Sequence, residues 1–167
     1  MENEIKRQLD VLIPPEFVVI DLDVKDKAEA IQYLASLLKD SGYVKETYVD
    51  AVLTREEEFP TGLPTKDVPV ALPHSDIEHC LKPGIAVGVL DSPVEFLEMA
   101  TTDQIVNAEI IFLLAITEPD QQVKWLSRLV SLFQTPGFLV KFKNANNAQE
   151  GHSILLEALK EEVVLEE

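Results

Sequence analysis

The chain holds one cysteine, Cys80, so neither an intramolecular disulfide nor a thiolate metal cluster can form. No apolar run approaches the roughly 18 residues that a membrane helix needs; the longest, Ala108–Ile116, is interrupted by Glu109. The N-terminus, Met1-Glu2-Asn3-Glu4, is acidic and lacks the apolar core of a signal peptide. A cytoplasmic chain with no direct membrane insertion is expected, with any membrane part supplied by another protein. Cations are scarce, 14 Lys and Arg against 30 Asp and Glu, which leaves a net charge of −16. That balance argues against a nucleic-acid partner, whose affinity rests on Lys and Arg neutralising phosphates, and against an anionic membrane surface. It suits a basic protein partner drawn in by the field, and it serves solubility equally well. Also missing are the glycine-rich phosphate loops, the nucleophile elbow and the dinucleotide fingerprint, so phosphoryl transfer from a nucleotide is not expected.

What is present reads as one alternating pattern. A length of 167 residues, at about 100–200 per domain, predicts a single domain over residues 1–167 with its core from about 15 to 162. Phe17–Leu22 is rich in β-branched residues and predicts a first strand. Asp26, with Glu29 three residues on, predicts a helix start. Ile31, Leu34, Ala35 and Leu38 then recur at helical spacing up to Gly42. A second helix is expected from about Lys45 to Glu57, with Tyr48, Val49, Val52 and Leu53 inward. Two prolines and a glycine make Phe59–Pro64 a loop. Val68–Leu72 is a short apolar strand stopped by Pro73. Gly84–Leu90 and Ala108–Ile116 read as strands covered on both faces, separated by a polar loop, Asp91–Asn107, holding one short strand near Val94–Phe96. Pro119 opens a long helix expected to bury Val123, Leu126, Val130 and Phe133. Thr135-Pro136-Gly137 breaks it. A last helix, capped near Asn147, should bury Ile154, Leu155 and Leu159. Strands interleaved with helices imply an α/β fold, a three-layer sandwich.

The three histidines are the first place to look for chemistry. His152 lies on the last helix and is expected at the surface. His74 follows a core-type strand and Pro73, whose fixed φ limits the orientations of the ring, at the strand edge where open α/β sheets bind ligands. Its imidazole, with a reference pKa of about 6.5, is largely neutral at pH 7. One nitrogen therefore keeps a lone pair that can attack phosphorus. The plainer alternative is a partly buried histidine with satisfied hydrogen bonds. A zinc site from His74, Asp76, His79 and Cys80 is disfavoured, because His-x₄-His does not place two ligands on one helix face and no third histidine is near; no metal is expected. Arg55 is the natural cation for a phosphorylated ring, since a guanidinium grips phosphate oxygens bidentately. It could equally serve the helix C-terminus or pair with Glu56–Glu58.

Arg55-Glu56-Glu57-Glu58-Phe59-Pro60-Thr61-Gly62-Leu63, followed by Val70-Ala71-Leu72-Pro73-His74, resembles the active-site signature of enzyme IIA of the fructose/mannitol superfamily, part of the bacterial phosphoenolpyruvate-dependent sugar phosphotransferase system. The Glu-Phe-Pro-Thr-Gly wording and His79 are most similar to the galactitol-specific branch. The resemblance runs from about Phe17 to Leu159. It implies a three-layer α/β/α sandwich around a central mixed, mostly parallel sheet with an antiparallel edge. It implies that His74 accepts a phosphoryl group from the carrier protein HPr and passes it to a cysteine of enzyme IIB, which phosphorylates a polyol moved by the membrane enzyme IIC. Arg55 would approach the phosphohistidine, Thr61 and Gly62 would form the substrate-binding loop beside it, and no cofactor is implied. One departure stands out: mannitol- and fructose-type members carry a further histidine where this chain has Gln122, which can donate a hydrogen bond but cannot carry charge. That difference resembles the galactitol branch, and His79 is a candidate to substitute in part. The alternatives are a nitrogen-regulatory IIA and a non-catalytic binding module on the same fold.

Overall fold

The structure is a computed structural model that describes residues 2–166. Met1 and Glu167, the ends of the expected domain, lie outside the described residues. In chain order the elements are α1 (Glu2–Leu12), β1 (Val18–Leu22), α2 (Lys27–Asp40), α3 (Tyr48–Glu58), β2 (Gly62–Leu63), β3 (Val70–Ala71), β4 (Gly84–Leu97), β5 (Ile105–Ala115), α4 (Pro119–Phe133), α5 (Phe138–Lys143) and α6 (Ala148–Glu166).

The local signals act as expected at both capped helices. The Asp26 carboxylate accepts the amide of Glu29 at the start of α2, and the Asn147 side chain accepts the amide of Glu150 at the start of α6. Each satisfies one of the orphan donors of a first helical turn. The five strands form one mixed sheet in the order β1-β4-β5-β3-β2. The β1–β4 and β3–β5 pairs are parallel, whereas β4–β5 and the edge pair β2–β3 are antiparallel. α2 lies on β4 and carries α3, while α4 and α5 pack on α6, which lies on β1. The core of this α/β sandwich is continuous, with Phe17, Leu34, Leu72, Ile85, Ile110 and Phe112 among its sealed side chains.

Four expectations need correction. The stretch expected as a loop over Asp91–Asn107 is mostly strand: β4 runs on to Leu97 and β5 begins at Ile105. Val94 faces Ala108 and Phe96 faces Val106 in one long hairpin, after a register shift between Val89 and Val94. Buried Val94 and Phe96 around exposed Glu95 show the period of two. Second, α4 buries Trp125, Leu129, Leu132 and Phe133. Val123, expected inside, is 68% exposed; Leu126 and Val130 only flank the core. Two apolar stripes share this helix, and contact with the sheet and α6 selects one. Third, α1 was not anticipated. It lays Ile5, Leu9 and Leu12 into the core, a short stripe among charges that α6 completes. His152, expected at the surface, is half-buried and bonds the Ile13 carbonyl at 2.7 Å.

Candidate active site

The site is built where β3 ends beside β5. Val70 and Ala71 pair in parallel with Ile110 and Ile111, and His74 forms one further bridge to Leu114. Leu72-Pro73-His74 is pinned at each step. The Leu72 amide reaches the Thr61 hydroxyl at 3.2 Å, the Pro73 carbonyl accepts the Leu114 amide at 3.1 Å, and the His74 Nδ1–H donates to the Leu72 carbonyl at 2.8 Å. That last bond fixes the tautomer: the proton sits on Nδ1, and the lone pair is on Nε2. Residue spacing did not reveal this partner, because it is a backbone carbonyl.

The His74 ring is only 7% exposed. Its Nε2 nevertheless reaches the surface. Among the described residues Arg55 Nε is the sole fully buried side-chain polar atom without a partner, and Nε2 accepts no protein hydrogen bond. Burial is the main reason the ring's pKa lies below 6.5, and the Arg55 guanidinium pushes it the same way; the Leu72 bond and Asp76 act in the opposite sense. The imidazole is therefore neutral and nucleophilic at pH 7.

Arg55 reaches this loop from the last turn of α3. Tyr48, at the start of that helix, donates its buried hydroxyl to the Leu114 carbonyl at 2.6 Å, so α3 and His74 are referenced to the same residue of β5. The guanidinium lies 5.2 Å over the Phe59 ring and donates one N–H to Asp76 at 3.2 Å. Asp76 is its one hydrogen-bond partner among the described residues, so most of its five donors are uncommitted.

Glu56 is the residue that sequence reasoning missed. It stands among three consecutive glutamates, considered in the sequence only as local partners for Arg55, yet it is 3% exposed. Its carboxylate accepts both the Thr61 amide at 2.8 Å and the Thr61 hydroxyl at 2.7 Å. Through Thr61 it holds the Leu72 amide, and Leu72 in turn holds His74. The sole signal available was its place on the inward side of α3 with Val52. Burial raises its pKa from 4.5 to about 7, against the lowering effect of the Thr61 bonds and of Lys27.

Because the folded state keeps the Glu56 proton up to a higher pH than the unfolded chain does, this group favours folding below pH 4.5, and that advantage is lost as pH rises to about 7. Glu56→Gln removes the titration. The unfolding free energy of the wild type relative to this variant should fall by about 3 kcal/mol across that window. Denaturant melts of both proteins at several pH values test this, and a difference independent of pH would refute it.

The remaining candidates are placed as follows. Thr61 is buried, with its amide and hydroxyl protons both on Glu56. A Cβ on Gly62 would meet the Leu97 carbonyl at 2.7 Å, so the glycine is needed for close approach to the β4–β5 hairpin. Gln122 donates its amide to the Ser75 carbonyl at 3.1 Å, directly beside His74. His79 is turned away: its Nδ1 bonds the Thr47 hydroxyl at 2.8 Å, and its other nitrogen lies 3.8 Å from Glu78. Cys80 is buried against Ser75, and burial raises its pKa, which keeps it a thiol.

An anchored imidazole at a strand end, with a bare nitrogen at the surface and an unsaturated guanidinium over the same loop, is an arrangement chemically able to accept a phosphoryl group. Residues 11–158 match the family model of the phosphoenolpyruvate-dependent sugar phosphotransferase system, EIIA 2, and the chain belongs to that family; it is a phosphotransferase component. The galactitol-specific EIIA component of Escherichia coli K12 is 28% identical over 120 residues, 72% of this chain and 79% of the relative. The complex of enzyme IIAMTL with phosphorylated enzyme IIBMTL from Escherichia coli superposes with a TM-score of 0.67 at 25% identity, covering 86% of this chain and 94% of the other. The nitrogen regulatory protein IIA-Ntr of Neisseria meningitidis shares the fold, with a TM-score of 0.69 at 21% identity over 89% of this chain and 99% of the other. Among the described residues no helix is long and apolar enough to cross a membrane.

Proposed function

We propose that His74 takes a phosphoryl group from the phosphohistidine of HPr and gives it to a cysteine of enzyme IIB, in the cytoplasm, for uptake of a galactitol-like polyol through enzyme IIC. The observation that carries this reading is the tautomer. With Nδ1–H on the Leu72 carbonyl, the Nε2 lone pair forms the new phosphorus–nitrogen bond while the electron pair of the old bond returns to the donor histidine. No proton has to move at His74. In the second step that pair returns to Nε2 as the IIB thiolate takes the phosphorus.

Such transfers pass through a loose, metaphosphate-like state, so positioning and charge stabilisation do most of the catalysis. The partner interface brings donor and acceptor into line. Arg55 supplies its free N–H groups to the phosphoryl oxygens, and the Leu72 carbonyl offsets the charge that the ring gains. Gln122 acts as a positioning residue through the Ser75 carbonyl. His79, Thr61 and Gly62 act through the scaffold around the ring. The galactitol-specific relative and the neighbour bound to a phosphorylated IIB support the choice of sugar class and partner.

The test is to incubate the chain with phospho-HPr, isolate it, and add a galactitol-type IIB. The expected result is a phosphorylated chain that discharges to IIB. Failure to accept phosphate would instead identify a binding module. Acceptance without discharge to a polyol IIB would favour the nitrogen-regulatory type.

A further inference from the structure

Arg55 is already engaged before any phosphoryl group arrives. Its Nη1 donates to the Asp76 Oδ1 at 3.2 Å. Asp76 stands two residues after His74, at the N-cap of the short 3-10 turn Ile77–His79, where an Asp carboxylate ordinarily accepts a backbone amide. It accepts none there. The side chain turns to Arg55 instead, on a backbone steadied by the Ser75 hydroxyl, which donates to the Asp76 carbonyl at 2.8 Å. The Asp76 side chain is 72% exposed and that of Arg55 34%. The carboxylate can therefore swing into water while the guanidinium stays over Phe59.

Arg55 Nε is fully buried, so a bidentate grip on phosphoryl oxygens falls to the Nη1 and Nη2 ends of the fork. Asp76 already occupies Nη1. Before transfer, Arg55 faces this one carboxylate. After transfer, it faces the same carboxylate and a further charge of about −1.5 to −2. The carboxylate then opposes the phosphoryl group twice, because it withholds a donor from it and repels it across the same loop. Arg55 and Asp76 already act on the His74 ring in opposite electrical senses. We infer that Asp76 competes with the phosphoryl group for Arg55 and so raises the transfer potential of phosphorylated His74, holding the site back from charging and driving it toward discharge. This rests on the carrier role proposed above and adds a positioning residue that acts through Arg55. The bonds exchanged stay the same. The donor's phosphorus–nitrogen bond breaks as the bond to Nε2 forms, and that bond later breaks as the phosphorus–sulfur bond to IIB forms, with no proton moved at His74.

The whole chain is equilibrated with radiolabelled phospho-HPr, and the label on each protein gives the equilibrium constant for transfer. Asp76→Asn keeps the size of the side chain and removes its charge. It should shift that equilibrium toward the phosphorylated chain by roughly three- to tenfold, the range of one exposed ion pair together with the repulsion it relieves. Rapid-quench measurement should show faster charging from phospho-HPr and slower discharge to IIB. Damage to the site would slow both steps, so the opposite signs separate competition from structure. Asp76→Ser should act in the same direction. In an Arg55→Ala background the Asp76→Asn shift should shrink, because the shared donor is gone. Failure of the native chain to take phosphate overturns the carrier role and this inference with it. If the native chain charges, this inference alone is overturned when Asp76→Asn leaves the equilibrium unchanged, shifts it toward HPr or slows both steps. A shift of equal size with and without Arg55 also overturns it.

Discussion

Replacing His74 by Asn should abolish phosphoryl acceptance from phospho-HPr to the limit of detection while leaving the fold intact. The Asn amide nitrogen occupies the place of Nδ1 and can keep the donor contact to the Leu72 carbonyl, seen at 2.8 Å in the native chain. What it lacks is a second nitrogen with a lone pair at the position of Nε2. Removing the nucleophile of a concerted site costs nearly all of its rate, on the order of 10⁶-fold where it has been measured. On the native protein the phosphate should be acid-labile and base-stable, as expected of a phosphorus–nitrogen bond. Single-turnover acceptance should hold steady as pH falls through 6.5 and decline only below it, because burial and Arg55 lower the ring's pKa and only the imidazolium lacks a lone pair. Phosphate on the Asn variant, or a loss of rate at pH 6.5, would disprove the assignment.

Arg55→Ala should slow acceptance by about 100-fold or more, the usual effect of removing one donor aimed at developing charge. Stability should change by less than about 1 kcal/mol, since the ion pair with Asp76 is exposed and such pairs contribute little. Arg55→Lys should fall between the two, keeping the charge and losing the fork. Rapid-quench measurement with labelled phospho-HPr reads the rate, and thermal unfolding reads the fold. An unchanged rate would leave Arg55 as a partner for Asp76 and a platform on Phe59.

The architecture was legible where local chemistry decides. Asp26 and Asn147 announce helix starts, Pro119 opens α4 and Thr135-Pro136-Gly137 ends it, and the runs at Gly84 and Ala108 mark central strands. Legibility failed where two local options were equally good. On α4 the stripe through Val123 competes with the stripe through Trp125, and only packing chooses. Along Asp91–Asn107 the polar residues mask an alternation that becomes a strand once β5 lies beside it. In α1, three apolar residues carry meaning only against α6.

The candidate site divides along the same line. Sequence alone determined that an imidazole follows a rigid proline at a strand end and that an arginine precedes it on a helix, because these are matters of residue type and spacing. Only the tertiary structure decided that Nδ1 rests on the Leu72 carbonyl, that Glu56 is sealed inside and braces Leu72 through Thr61, and that His79 turns to Thr47. Those outcomes depend on backbone groups brought together across β2, β3 and β5, and on which of several equivalent glutamates faces inward. No local pattern encodes the partner of a carbonyl or the burial of one carboxylate among three.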